Sequence, residues 1–424
     1  MKKQYYEALN ETLFHCEMPN GLRVQVVPRP GFSRKLAYFV TDFGSIHTDF
    51  SLNGETIQAP AGIAHFLEHK MFELPGRDVS AEFAAQGANV NAFTSYDMTA
   101  YYFSCTENFR ENLRLLLEFV STPYFTEESV QREIGIIDQE IGMNADSPER
   151  VFENLMQAMY GSHPIRIPIL GSKESIRAIT PELLTQCHRA FYTPANMILC
   201  VVGDVDPQQV LDIAREVLGD EKKEAGIKLR PWQEEMTCCR DSVSMPMEVA
   251  MPNFQLGFKC ESVGDGVDAI RQEIIGDLAA EALFGESSAL YLKLYEEGLI
   301  DSSFGGGFET VDGCALLTCG GDSYQAEAVQ DAILARAKQL LETGIEEADL
   351  LRMKRSALGR RIRDLDSFDS TCFRLSAYKL SDFDYFCFPA VYTEVTADQV
   401  LAFIEKVVKP QRCALSIIEP RRQS

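Results

Sequence analysis

The chain repeats one local pattern near the end of each half. A helix-like stretch at 181–192 is followed by Pro194 and the apolar run 197–202. The C-terminus has the same order: 397–408, Pro410, then the run 413–418. Helix, proline and buried strand at matching places predict two copies of one α+β unit. A chain of 424 residues also exceeds what one core fills. The region 216–247 has no sustained period and carries the charged stretch Gly219-Asp220-Glu221-Lys222-Lys223-Glu224, then Arg230-Pro231-Trp232. We therefore expect a first domain over 1–218, a linker over 219–240 and a second domain over 241–424.

Strand-like runs occur at 23–27 and 36–40, with expected equivalents at 255–260 and 314–319. Helical periodicity fills 79–86, 108–120, 127–144, 268–284 and 324–342. This mixture predicts antiparallel sheets with helices packed on one face. The Gly305-Gly306-Gly307 run lacks the lysine and hydroxyl residue of a phosphate loop, so it reads as a strand needing close backbone approach. The basic run Arg360-Arg361-Ile362-Arg363 reads as a solvated helix face.

Composition narrows the function. With 46% hydrophobic and 24% charged residues the chain is an ordinary globular one. A net charge of −23 repels phosphate backbones and sets nucleic acid aside as a partner. No apolar run follows Lys2 and Lys3, and none approaches the roughly 20 residues of a membrane span. A cytoplasmic protein is expected. The 12 cysteines include no CxxC pair, so buried or free thiols are expected rather than a cysteine metal site.

The chemistry concentrates in Gly62-Ile63-Ala64-His65-Phe66-Leu67-Glu68-His69-Lys70-Met71-Phe72. On a helix, His65, Glu68 and His69 share one face, while Ile63, Phe66 and Leu67 cover the other. Two histidines at i,i+4 present nitrogens to one zinc ion, and a neighbouring glutamate that is not a ligand can act as general base. The order H-x-x-E-H inverts the better-known H-E-x-x-H. A third ligand is needed. The helix predicted over 127–144, capped by Thr126, carries Glu133 and Glu140 nearly two turns apart on one face. One of them can ligate and the other support, and spacing does not separate them. His163 sits in a turn beside Pro164 and reads as structural; His15, His47 and His188 have no partner spacing.

These segments resemble those of the M16 (pitrilysin or insulysin-like) metallopeptidases. The family's zinc segment G-x-x-H-F-L-E-H matches Gly62 to His69, its edge-strand segment matches Gly87-Ala88-Asn89-Val90-Asn91-Ala92-Phe93-Thr94, and its second glutamate helix matches Glu133 through Glu140-Ile141. The resemblance spans nearly the whole chain. It implies a LuxS/MPP-like metallohydrolase fold of two homologous domains, the second without a metal site, forming half of a clam-shell that encloses short unfolded peptides. It implies zinc held by His65, His69 and Glu140, catalysis by Glu68 with Glu133 supporting, and substrate lying along Asn91, Ala92 and Thr94 as an added strand.

One segment departs from the family. Self-sufficient members grip substrate with an arginine and a tyrosine in a segment like L-R-E-x-x-L-x-Y. Here Tyr295 and Asp301 stand at those places. The resemblance then implies the zinc-bearing subunit of a heterodimer whose M16-like partner supplies the grip; a homodimer is the other arrangement. The competing readings are a peptide-binding scaffold that does not cut, and a processing protease dedicated to one substrate of a modification pathway.

Overall fold

The computed structural model describes residues 1–222 and 226–421. Lys223 and Glu224 of the charged stretch lie outside the described residues. Two compact units form. The first comprises Met1–Ile141, Pro168–Arg230 and Ile362–Cys387; the second comprises Gly142–Ile167, Pro231–Arg361 and Phe388–Ser424. Each unit thus takes one segment from beyond the cut expected at 219–240.

The strands in chain order begin with β1 (Lys2–Tyr6), β2 (Glu11–Glu17), β3 (Arg23–Pro28) and β4 (Lys35–Thr41). Next come β5 (Asp49–Leu52) and β6 (Glu55–Gln58), the short pair β7 (Glu73–Leu74) and β8 (Arg77–Asp78), then β9 (Asn89–Thr94), β10 (Thr99–Cys105), β11 (Met197–Gly203) and β12 (Ile227–Leu229). The second unit has β13 (Ser242–Met247), β14 (Asn253–Cys260), β15 (Gly305–Val311), β16 (Cys314–Asp322) and β17 (Cys413–Pro420).

The main sheet of the first unit has the order β1-β2-β3-β11-β4-β10-β9, and that of the second β13-β17-β14-β16-β15. Without β1 and β2 the two orders coincide. The directions coincide as well: β3–β11 and β13–β17 are parallel pairs, and the remaining pairs are antiparallel. The duplication read from 197–202 and 413–418 is therefore real, for these runs are β11 and β17. Two details differ from expectation. The counterpart of 314–319 is β10, and that of β3 is β13, which lies inside the aperiodic region 216–247. β12 also lies there and adds to the β5–β6 hairpin. Short strands with half-exposed polar residues carry too little period to be recognised alone.

Alternation along the strands supplies both faces of the first sheet. Ala37, Phe39, Leu199 and Val201 face a core shared with the helices Ile63–Met71, Phe109–Ser121 and Pro181–Phe191. Tyr38, Cys200 and Val202 point the other way and are also buried. That second face is covered by the helix Phe368–Leu380, which packs on β11 and β4. Helices therefore lie on both faces rather than one, because β11 and the stretch Leu36–Val40 of β4 are apolar on both faces and need cover on each side. In the second unit the helix Arg150–Met159 packs on β17 and β14, and Gly266–Phe284 on β15. Gly306 allows the approach expected of the glycine run, since a Cβ there would lie 2.0 Å from Thr318 O.

Among the described residues no helix is long and apolar enough to cross a membrane. Every described cysteine is a free thiol, and most are buried.

The helix over the second face of the first sheet holds Leu375 fully buried. Leu375→Ala is expected to destabilise the protein by about 2–5 kcal/mol in chemical denaturation; a loss of a few tenths would mean that this helix adds little to the fold.

Candidate active site

The helix Ile63–Met71 starts at Gly62, whose φ is +90°. A Cβ there would meet Leu170 O at 2.4 Å, so only glycine lets the helix start against this chain segment. Ser175 Oγ donates to Ala61 O at 2.8 Å and holds the same junction. Ile63, Ala64, Phe66 and Leu67 enter the core, which turns His65, Glu68 and His69 to the opposite side.

The second helix, Glu127–Asn144, begins with a reciprocal cap: Ser129 N–H donates to Thr126 Oγ1 and Thr126 N–H to Ser129 Oγ. It brings both glutamates to the histidines and separates them. Glu133 Oε1 accepts from His69 Nδ1 at 2.9 Å. Glu140 lies on the other side of the rings, with Oε1 3.8 Å from His65 Nε2 and Oε2 3.8 Å from His69 Nε2. The Nδ1–H bond to Glu133 leaves the His69 Nε2 lone pair free, directed to the space shared with Glu140. Seven residues of helix thus place one carboxylate at each nitrogen of the same imidazole.

One donor atom from each of His65, His69 and Glu140 lies within 4.8 Å of the other two, the one such group of three or more among the described residues. The histidine rings stand 4.5 Å apart. Separations of 3.8 Å are too long for hydrogen bonds and short enough for one cation to be shared. Burial, with His69 adding to it, lowers His65 to about 3, so that it presents a neutral imidazole. Burial also pulls His69 down, but its bond to Glu133 and the charges of Glu133, Glu68 and Glu140 outweigh that and raise it. Two imidazoles and a carboxylate, in a site with two further carboxylates, fit a zinc ion.

Glu68 is 8% exposed and sits beside this group. Burial raises its pKa; Thr94 and His69 oppose the rise and Glu140 adds to it. Thr94 Oγ1 donates to Glu68 Oε2 at 2.8 Å. Thr94, expected along the substrate, is thus joined to the carboxylate. Asn91 is exposed and Ala92 half-buried on β9, the edge of its sheet.

Several residues around the site carried no motif. Lys70 is fully buried and pairs with Glu73, which also accepts from Arg132 Nη2 at 2.5 Å. Glu73 thereby ties the first helix to the second, one residue before Glu133. Asp138 accepts from Lys173 Nζ and Arg177 Nη2, each at 3.1 Å. A lysine following H-x-x-E-H on the buried side of the helix was the available signal. The remaining histidines are structural or lie elsewhere: His47 Nδ1 accepts from Gly44 N–H, His188 Nε2 contacts Val120 O, and His163 Nε2 contacts Asp312 O in the second unit. Tyr295 is exposed, and Asp301 accepts from Ser303 in a turn, both in the second unit.

A duplicated sheet-and-helix unit with a two-histidine, one-glutamate donor set beside a buried glutamate defines a metallohydrolase class. The chain belongs to peptidase family M16. Residues 55–173 match the model "Insulinase (Peptidase family M16)" and residues 178–357 match "Peptidase M16 inactive domain". It is 38% identical over 425 residues to the uncharacterized zinc protease YmfH of Bacillus subtilis (strain 168), covering 98% of each chain. It is 26% identical to a second zinc protease of that organism, YmxG, covering 83% of this chain and 84% of the other. The crystal structure of a protein described as an M16-like peptidase from Alicyclobacillus acidocaldarius superposes with a TM-score of 0.92 at 34% identity, covering 97% and 98% of the chains. Pitrilysin shares the fold, with a TM-score of 0.80 at 15% identity, over 99% of this chain and 46% of its own.

The Glu133 bond orients His69. Glu133→Gln is expected to weaken zinc binding by about 10–100-fold, measured by competition with a chromogenic chelator. An unchanged affinity would remove Glu133 from the support of the site.

Proposed function

We propose that this chain is a cytoplasmic zinc-dependent endopeptidase subunit that hydrolyses short unfolded peptides. Its working form pairs it with an M16-like subunit that carries the arginine and tyrosine it lacks. The observation that carries the reading is the convergence of His65, His69 and Glu140 next to a buried Glu68, beside the open edge of β9. Zinc, when held by those three residues, supplies Lewis acidity toward the peptide carbonyl and lowers the pKa of the attacking water.

The chain's own residues do the remaining work. β9, the edge strand of its sheet, offers its backbone to an extended peptide, which adds as a further strand once Asn91 Oδ1 gives up the Ala92 N–H it now accepts. Exposed Asn91 and small Ala92 let the peptide backbone come close. Glu68 takes the proton of the attacking water and delivers it to the leaving amine. Its raised pKa brings it nearer to neutral pH and makes it a better proton acceptor. Tyr295 and Asp301, where self-sufficient relatives grip the backbone, support the need for a partner.

The test is hydrolysis of a mixed peptide library by the zinc-loaded chain, alone and with an arginine–tyrosine-bearing M16 companion. Cleavage is expected only with the companion, and Glu68→Gln should abolish it while zinc remains bound. Cleavage by the chain alone would make a homodimer the working form. Hydrolysis surviving Glu68→Gln would overturn the mechanism, and no cleavage in any mixture would favour the scaffold reading.

The Thr94 bond gives a pH prediction. Glu68 accepts a proton only as the carboxylate, so activity falls as pH drops through its raised pKa. Thr94 favours the carboxylate, and removing its hydroxyl raises that pKa further. Thr94→Val is expected to move the acid limb of kcat/KM to higher pH. A limb that stays in place or moves to lower pH would disconnect Thr94 from the base.

A further inference from the structure

β9 is the outer strand of its sheet, so half of its backbone groups have no neighbouring strand to meet. The ladder to β10 tells which half. At the hairpin turn Ser95 N–H donates to Met98 O at 2.8 Å. From there the register runs back without a break: Thr94 opposite Thr99, Phe93 opposite Ala100, Ala92 opposite Tyr101, Asn91 opposite Tyr102. In an antiparallel ladder, opposed residues alternate between exchanging backbone bonds and not doing so. Phe93 and Asn91 therefore turn their backbone groups to β10. Thr94 and Ala92 turn theirs to the open edge.

The Ala92 N–H does not stand open there. Asn91 Oδ1 accepts it at 2.9 Å. A side-chain oxygen on the N–H of the next residue takes the place that the carbonyl of a neighbouring strand would fill. The cap is lightly held, for Asn91 is exposed. Directly across the ladder the Tyr102 hydroxyl meets the Asn91 amide, which keeps a partner when its oxygen lets go of Ala92. The capped group also lies close to the base: Thr94, two residues on, donates to Glu68 Oε2 at 2.8 Å.

We infer that Asn91 is a displaceable cap on the substrate edge. Its Oδ1 occupies the position of a peptide carbonyl and competes with that carbonyl for the Ala92 N–H. The inference rests on the reading that a peptide adds along β9. A carbonyl that replaces Oδ1 makes one bond and breaks another, so this bond alone adds little affinity. The competition favours an extended segment, which bonds several outward groups at once, over a bend or a chain end that offers a single carbonyl.

Two measurements test it. The first is hydrogen exchange at the Ala92 amide in the full chain without peptide, read by NMR after labelling the alanines. Asn91→Ala is expected to exchange about two- to tenfold faster than wild type, and Asn91→Asp, which keeps an acceptor, is not. The second is binding of a library peptide that the wild-type protein cleaves. It is titrated into the zinc-loaded Glu68→Gln chain, with the companion subunit where cleavage needs it, at high salt to screen the added aspartate charge. In that background Asn91→Ala is expected to bind about two- to tenfold more tightly and Asn91→Asp more weakly. Unchanged exchange in Asn91→Ala would overturn the cap. Equal or weaker peptide binding by Asn91→Ala would overturn the competition, making Asn91 a bystander or a grip on the peptide. No peptide cleaved or bound by any form would overturn the peptidase reading and the competition with it, while exchange at Ala92 would still decide whether the cap exists.

Discussion

The site depends on holding two helices, distant in sequence, at one rotation and one height relative to each other. A slip of one residue along Glu127–Asn144 would turn Glu133 and Glu140 by about 100° away from the histidines. Three polar ties oppose that slip. Glu133 bonds His69 within the site, Glu73 joins buried Lys70 to Arg132, and Asp138 is held by Lys173 and Arg177. Exposed ion pairs contribute little singly. Here their value is directional, since Arg132 and Glu133 fix one turn of the helix and Asp138 another. The Lys70–Glu73 contact is of another kind. A lysine with no exposed surface has no water to turn to, so losing Glu73 would leave a buried charge unpaired.

The same geometry explains what was legible beforehand. H-x-x-E-H states its own face, because helical period alone brings His65, Glu68 and His69 together. E-x6-E states a shared face but not a role. Which glutamate stands at which imidazole nitrogen depends on the position of the second helix, a tertiary fact. Lys70 stands on the apolar side of its helix, but the partner that permits its burial, Glu73, lies beyond the helix and belongs to no motif. Long helices and the buried strands β11 and β17 were plain from their periods. β12 and β13 were not, because they are short edge strands whose pairing is supplied by β5 and β17. The helices that close the second face of each sheet were hidden for a related reason. Each comes from the other half of the chain, and no local pattern records which sheet a helix will cover.

The environment of Glu68 balances opposing effects. Burial favours the protonated acid, while the Thr94 hydroxyl and His69 favour the carboxylate. A carboxylate wholly exposed would be a weak base, and one wholly desolvated would not ionise at neutral pH. Thr94 belongs to β9, the strand with the open edge. The hydroxyl bonded to Glu68 is thus on the edge strand of its sheet, and a shift of that edge would be felt at Glu68.

Duplication allows a comparison within the molecule. β9 and β15 occupy equivalent edges, each with a helix packed against it. In the first unit that helix is Ile63–Met71, and the polar side chains His65, Glu68 and His69 are left clear of the core. In the second it is Gly266–Phe284, and apolar packing takes up the contact: Gly276 lies so close to the Phe308 ring that a Cβ would approach within 2.3 Å of it. The acids on that helix, Glu273 and Asp277, are occupied by Arg361, a buried residue of the run read as a solvated face. A guanidinium between two carboxylates satisfies them without a metal. The second copy keeps the scaffold of the first and has packing and an ion cluster at the place where the first gathers its candidate metal donors.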